Sequence, residues 1–353
     1  MVAGVRWTRL QRDKKFLKYN KMDEETMPVN VADLPSFTEI GGSEAKSTQT
    51  TQILKQKSKL HSVLQMENAI WQGDCLTFLK GLPNEPIFDL LVSSPPYNIG
   101  KSYETRVELD KYLVWQEAIL DEAIPRLKPG GSVCWQVGNF VADNEIFPLD
   151  IEFAPIFKRH KLQLRNRIVW HFGHGLHTRK RFSGRYEVVM WYTKTSGKDD
   201  PYTFNLDPVR VPAKYPGKRH FKGPNIGQLS GNPLGKNPED VWNIPNVKSN
   251  HVEKTEHPCQ FPVGLIERLV LSLTNPGDLV FDPFSGVASA GVASAIHGRR
   301  FWGCELMETY AKIGQDRMNE ALAGRAVYRP HDTPLYDHTL SNLSKVVDPG
   351  RTN

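Results

Sequence analysis

An apolar run, Phe88-Asp89-Leu90-Leu91-Val92-Ser93, is halted by Ser94-Pro95-Pro96-Tyr97, and this junction constrains the chain more than any other stretch. A run of that length reads as a buried strand, and neither proline can donate a ladder hydrogen bond, so the sheet must end there. A residue ahead of proline is held out of the helical region, which keeps Ser94 and Pro95 extended. The Ser94 hydroxyl and the Pro95 carbonyl can then converge on a small space beside the Tyr97 ring, a pocket suited to a planar amine. Taken alone, the tetrapeptide fits an ordinary rigid turn equally well.

A second block lies far downstream, at Asp278-Leu279-Val280-Phe281-Asp282-Pro283-Phe284-Ser285-Gly286-Val287-Ala288-Ser289-Ala290-Gly291. A short strand enters a turn of small residues and then an alanine-rich helix from Val287 to about Ile296, the pattern of a nucleotide-type βα unit. Glu305 stands 19 residues beyond Gly286, closing the apolar run Arg300-Phe301-Trp302-Gly303-Cys304. An acidic residue at that separation is placed to grip a pair of ribose hydroxyls. The turn lacks the G-x-G-x-x-G that lets backbone approach a pyrophosphate, which disfavours a nicotinamide cofactor. A ligand with ribose and no phosphate fits better, and S-adenosylmethionine is such a ligand. Its methionine end would sit at the helix N-terminus, with Asp282 facing the ammonium.

With both blocks in place, the chain resembles the beta class of DNA amino-methyltransferases, in which S/D-P-P-Y precedes the cofactor motif and a target-recognition region lies between them. Three blocks carry the resemblance over about residues 67 to 318: Gly73-Asp74-Cys75-Leu76-Thr77-Phe78-Leu79 running to SPPYNIG, His257-Pro258-Cys259-Gln260-Phe261-Pro262, and DPFSG through Glu305. It implies catalytic roles for Ser94, Pro95, Pro96 and Tyr97. It also implies cofactor contacts from Asp74 and Cys75 near the adenine, from His257, Gln260 and Phe261 around the methionine end, and from Asp282, Phe284, Ser285, Gly286 and Glu305. Phe261 stands where relatives commonly carry lysine, and Ala288 where they carry the second glycine of DPFxGxG. A methyl group facing the ligand at position 288 would crowd it, and an inactive DNA-binding protein is the alternative this departure raises.

The fold implied is α/β: a Rossmann-like class I methyltransferase with a doubly wound, mostly parallel sheet, a circularly permuted motif order and an inserted target-recognition region. The catalytic strand should lie beside the cofactor strand although it comes first in sequence, with both ligand loops at the carboxyl edge. Apolar periodicity over 110–127 and 261–273 supplies helices to cover the sheet. The expected organisation is a flexible polar arm over 1–60, a catalytic half over 61–157, a basic target-recognition region over 158–250, a cofactor-binding half over 251–327 and a C-terminal tail over 328–353.

Charge sharpens this division. Lys158 to Lys222 holds sixteen Lys or Arg against four Asp or Glu, a local +12 within a chain of +6, so the remainder sums to −6. Aromatic residues interleave with the positive charge, which favours a surface that tracks phosphates. Strands are expected over 164–170 and 186–192 with a basic loop between them. Arg179, Lys180, Arg181 and Arg185 in that loop are candidates for phosphate contact, together with Lys214, Lys218 and Arg219 in the Pro-, Gly- and Asn-rich stretch 201–249. The partner implied is double-stranded DNA; a cognate restriction endonuclease and a homodimer are further partners left open. His171, His174 and His177 fall on a glycine-broken loop where no helix would align them, so no metal is expected. Four scattered cysteines suggest neither a zinc site nor a disulfide framework. With no signal-like N-terminus and no membrane-length apolar run, a cytoplasmic location is expected.

An exocyclic amine is a poor nucleophile because its lone pair is delocalised into the ring. Acceptors at Ser94 and Pro95 would take its two hydrogens and favour the pyramidal, attacking form, with Tyr97 stacked on a base flipped out of the duplex. In the resembling family serine at the first motif position accompanies cytosine N4 and aspartate accompanies adenine N6, so N4 is favoured. An RNA or protein-amide methyltransferase is a further alternative.

Overall fold

The computed structural model describes residues 65–337, apart from 99, 101–104, 174, 176, 196 and 198. Strand β1 (Asn68–Gln72) and helix α1 (Cys75–Gly81) lead into strand β2 (Phe88–Ser93), which stops directly ahead of the Ser94-Pro95-Pro96 corner. Helix α2 (Leu109–Ala123), strand β3 (Leu127–Val137), a hairpin of β4 (Asn139–Ala142) and β5 (Glu145–Pro148), and helix α3 (Leu149–Arg159) complete this part. Strands β6 (Gln163–His171), β7 (Tyr186–Thr193) and β8 (Val241–Asn243) follow. Helix α4 (Val263–Leu273), β9 (Leu279–Asp282), α5 (Ser289–Ile296), β10 (Arg300–Glu305) and α6 (Glu308–Leu322) finish the chain of elements.

One eight-stranded sheet in the order β1-β10-β9-β2-β3-β7-β6-β8 gathers all strands but the β4–β5 hairpin. The five strands from β1 to β3 run parallel, and β7 reverses direction between β3 and β6. Strand β2, which leads into Ser94-Pro95-Pro96-Tyr97, pairs directly with β9, which leads into Asp282-Pro283-Phe284-Ser285-Gly286, as expected from the motifs. Side chains alternate between two cores: Val133, Trp135 and Val137 face one and Cys134 the other, while Val188, Met190 and Tyr192 oppose Val189 and Trp191. Helices α1, α2 and α3 cover the first face, and α4, α5 and α6 the second. A sheet buried on both faces explains why its strands read as nearly continuous apolar runs.

The basic region is only partly a separate structure. Its strands β6 and β7 lie within the main sheet, while 194–262 carries little regular structure beyond β8 and a short 3-10 turn at Asp207–Val209. The expected tail also begins on the body: Glu267 of α4 accepts from the His331 N–H at 2.7 Å, and Arg268 donates to the His331 carbonyl. The expected arm over 1–60 and residues 338–353 lie outside the described residues. Among the described residues no helix is long and apolar enough to cross a membrane.

Candidate active site

Parallel strands place their carboxyl ends on one edge, and the loops leaving β1, β10, β9 and β2 there bring the motifs together. The catalytic loop is fixed at its far end by Asn98, buried and at φ +59°, whose amide donates to the Val107 carbonyl at 2.6 Å and accepts from the Val107 N–H at 2.7 Å. This two-way bond turns the chain after SPPY and leaves Ser94 half-buried beside Tyr97.

Ser94 Oγ donates to the Tyr97 hydroxyl at 3.0 Å. That hydroxyl in turn faces Gln136 Oε1 at 2.6 Å and Glu187 Oε2 at 3.1 Å, and the Gln136 amide donates to Glu187 at 2.5 Å. Burial, reinforced by the nearby Glu187, holds the Tyr97 phenol well above its ordinary range. Burial likewise raises the Glu187 carboxyl, against the hydrogen bonds that favour its anion. Gln136 comes from β3 and Glu187 from β7, and the backbone closes tightly on them: a Cβ on Gly138 would lie 3.4 Å from both Tyr97 and Glu187.

On the cofactor side, Asp282 ends β9 with its Oδ1 accepting from Ser93 Oγ at 2.5 Å and from the Phe284 N–H at 3.0 Å. Burial, reinforced by Glu305, pushes this carboxyl up to about 7. Glu305 ends β10 and is also raised by burial, offset in part by the N–H groups of Met307, Gly286 and Leu306. Gly286 adopts φ +51°, a region costly for other residues, and a Cβ there would meet the His257 ring at 3.3 Å. His257 is pushed down to about 4 by burial and by the charges of Lys254 and Arg317, so it is neutral near pH 7. Ser285 Oγ donates to the Cys304 carbonyl, tying the turn to β10, and Phe284 packs on Trp115 and Trp135.

Other implied contacts have structural employment as well. Asp74 caps α1, accepting from the Thr77 N–H and hydroxyl, both at 2.8 Å, and Cys75 is buried as the first residue of that helix. Gln260 accepts from the Thr255 N–H and hydroxyl and donates to the Glu253 carbonyl. The Phe261 ring packs edge-on against Trp170. Ala288 adopts φ +55° and keeps the glycine-like turn, while its methyl is fully buried in the second core, 3.1 Å from where a Cβ on Gly314 of α6 would lie. The methyl therefore faces α6, which removes the crowding that the departure from DPFxGxG suggested.

Residues 88–316 match the N6/N4 DNA methylase family. The chain belongs to that family. Among relatives, the type II methyltransferase M.BglII of Bacillus subtilis is 48% identical over 247 residues, covering 70% of this chain and 67% of its own. The DNA adenine methyltransferase YhdJ of Escherichia coli K12 is 32% identical over 257 residues, covering 71% and 83%. The Thermus thermophilus protein TTHA0409, a putative DNA modification methylase complexed with S-adenosyl-L-methionine, superimposes with a TM-score of 0.52 at 25% identity, covering 73% of this chain and 97% of that one.

In this DNA methylase Arg179, Lys180, Arg181, Lys214, Lys218 and Arg219 are exposed, and Arg185 is half-buried. His171 meets Asn243 at 2.7 Å, His177 lies 3.4 Å from Arg185, and His174 is outside the described residues. Gln136, Glu187 and Asn98 are the site residues that sequence reasoning passed over. For Gln136 and Glu187 a signal existed: each is a strongly polar residue inside a largely apolar run, SVCWQV and YEVVMWYT, where an unpartnered polar group would be costly.

Proposed function

We propose that this DNA methyltransferase transfers a methyl group from S-adenosylmethionine to N4 of a cytosine flipped out of duplex DNA. The observation that carries the reading is the engagement of Ser94: its O–H is held by Tyr97, so its lone pairs are left to accept an amine hydrogen. The residues at the carboxyl edge suit the donor, which carries a sulfonium and an ammonium. Two carboxylates with raised pKa values, the buried Asp282 and the half-buried Glu305, gain from cationic company, and the Gly286 turn comes close to the neutral His257 ring. Glu305 would hold the ribose hydroxyls and Asp282 the ammonium end. When bound, the donor supplies an electrophilic methyl group.

The protein's own part is positioning and proton management. Ser94 Oγ and the Pro95 carbonyl accept the two amine hydrogens, and the Tyr97 ring supports the base. The lone pair thus freed would be presented to the methyl group that the donor supplies. The methylated amine then loses a proton to Ser94, which passes its own to Tyr97, and Tyr97 passes its own to Glu187. Arg179, Lys180, Arg181, Arg185, Lys214, Lys218 and Arg219 would contact phosphates, and 201–249 would read the sequence.

Nucleosides from the DNA of a host expressing the chain, separated and weighed by mass spectrometry, should contain N4-methylcytosine, and the Ser94→Ala variant should produce none. N6-methyladenine alone removes the cytosine assignment. Adenine N6 is the second reading, favoured by the 32% identity to an enzyme described as a DNA adenine methyltransferase. The likeness to a type II enzyme supports pairing with an endonuclease of the same sequence specificity, and protection of host DNA from such an endonuclease would test it.

A further inference from the structure

We infer that Phe182 is a wedge that enters the DNA stack and holds open the space left by the flipped base; the inference rests on the duplex-DNA reading above. The β6–β7 loop, residues 172–185, contains Arg179, Lys180, Arg181 and Arg185 and no acidic residue. Phe182 stands among these cations fully exposed, at 101% of its reference area. A phenylalanine left wholly in water forgoes the burial that usually justifies it. The four surrounding positive charges specify a polyanion as the surface that covers it.

Local bonds present the ring. Thr178 Oγ1 donates to the Arg181 carbonyl at 2.5 Å, and the Thr178 N–H donates to Ser183 Oγ at 3.1 Å, so the tip is a closed turn around Phe182. At its base the Phe172 N–H donates to the Arg185 carbonyl at 3.1 Å, continuing the β6–β7 ladder at His171 and Tyr186. Glu187, the next residue after Tyr186, touches Tyr97 and Gln136 in the catalytic network. The turn that carries the exposed ring is therefore an extension of the strand that carries the catalytic network. Apolar side chains inserted between base steps stabilise unstacked, opened DNA, and flipping a base requires such opening. Phe221, 78% exposed, lies on a different loop with Lys222 beside its ring, and lacks the connection to the catalytic strand.

The test compares two synthetic duplexes that carry the sequence methylated in the host, one with the target base correctly paired and one with it opposite an abasic site. Single-turnover methylation by Phe182→Ala should fall about 30-fold on the paired duplex and less than about 3-fold on the other, because the second needs no help in opening. Phe182→Trp should restore the paired rate, and Phe221→Ala should affect both duplexes alike. In parallel, the fluorescent cytosine analogue pyrrolocytosine at the target position should brighten with wild-type protein and remain dim with Phe182→Ala. Equal losses on both duplexes, or no loss at all, overturn the wedge while leaving the enzyme's assignment intact. A wild-type protein that methylates neither duplex overturns the DNA reading and the wedge with it.

Discussion

Replacing Asp282 with asparagine should make the protein more stable and a poorer binder of its methyl donor. Asp282 is 3% exposed, and burial with Glu305 nearby pushes its carboxyl from an ordinary 3.8 up to about 7. A tenfold change in proton affinity is worth about 1.4 kcal/mol, so holding the ionised form in the folded protein above pH 7 costs on the order of 4 kcal/mol. A folded-state pKa above the unfolded value means that the native state binds more protons, and stability falls as pH rises from about 4 through 7. Asparagine retains an Oδ1 acceptor for Ser93 Oγ and the Phe284 N–H while removing the charge. The Asp282→Asn variant should therefore gain little at about pH 4, progressively more up to about pH 7, and roughly 8 °C in melting temperature at about pH 8. Differential scanning fluorimetry across this range measures the gain, and isothermal titration with S-adenosylmethionine at about pH 8 should show binding at least about 10-fold weaker. A variant less stable than wild type at the alkaline end, or a gain that does not shrink towards the acid end, refutes the electrostatic argument; unchanged affinity refutes the ammonium contact.

Tyr97→Phe keeps the ring and removes the hydroxyl that joins Ser94, Gln136 and Glu187, so kcat should fall about 10- to 100-fold with little change in KM for DNA, measured by steady-state methylation. Glu187→Gln should lower kcat about 100-fold and flatten the acid limb of the pH–rate profile, because in the proposed relay an ionised Glu187 is the terminal acceptor and burial raises its pKa; a profile of unchanged shape would exclude that role.

Much of this architecture was legible in the chain. The strand ahead of SPPY ends at Ser93 as two successive prolines require, and the pair expected over 164–170 and 186–192 extends by one residue or so. The helix expected over 110–127 stops at Ala123: Ile124 is still helical, but Pro125 has no N–H to continue the ladder, and a 3-10 turn delivers Leu127 into β3. Strand β3 itself was hidden: Lys128-Pro129-Gly130-Gly131 reads as a turn, and the pairing with β2 indeed shifts register between Phe88 and Leu90. The expected helix start at Val287 moves to Ser289 because Ala288 takes a left-handed conformation. Tertiary partners explain the rest. Glu187 and Gln136 meet Tyr97 only because β7 runs antiparallel to β3, and sequence spacing carries no trace of that choice.

The bond between Ser93 and Asp282 joins residues 189 apart, across the pairing of β2 with β9. In the proposed reading, methyl donor and acceptor are thus handled by loops distant in sequence but adjacent in the sheet, with a long, weakly regular stretch of chain between them. A ribosome must release β9 before β2 acquires this neighbour, so a nascent or truncated chain carries the amine loop without the means to use it. The same topology makes the 194–262 stretch a natural place to divide the gene: two fragments, each retaining one ligand loop, would recover methylation only on meeting.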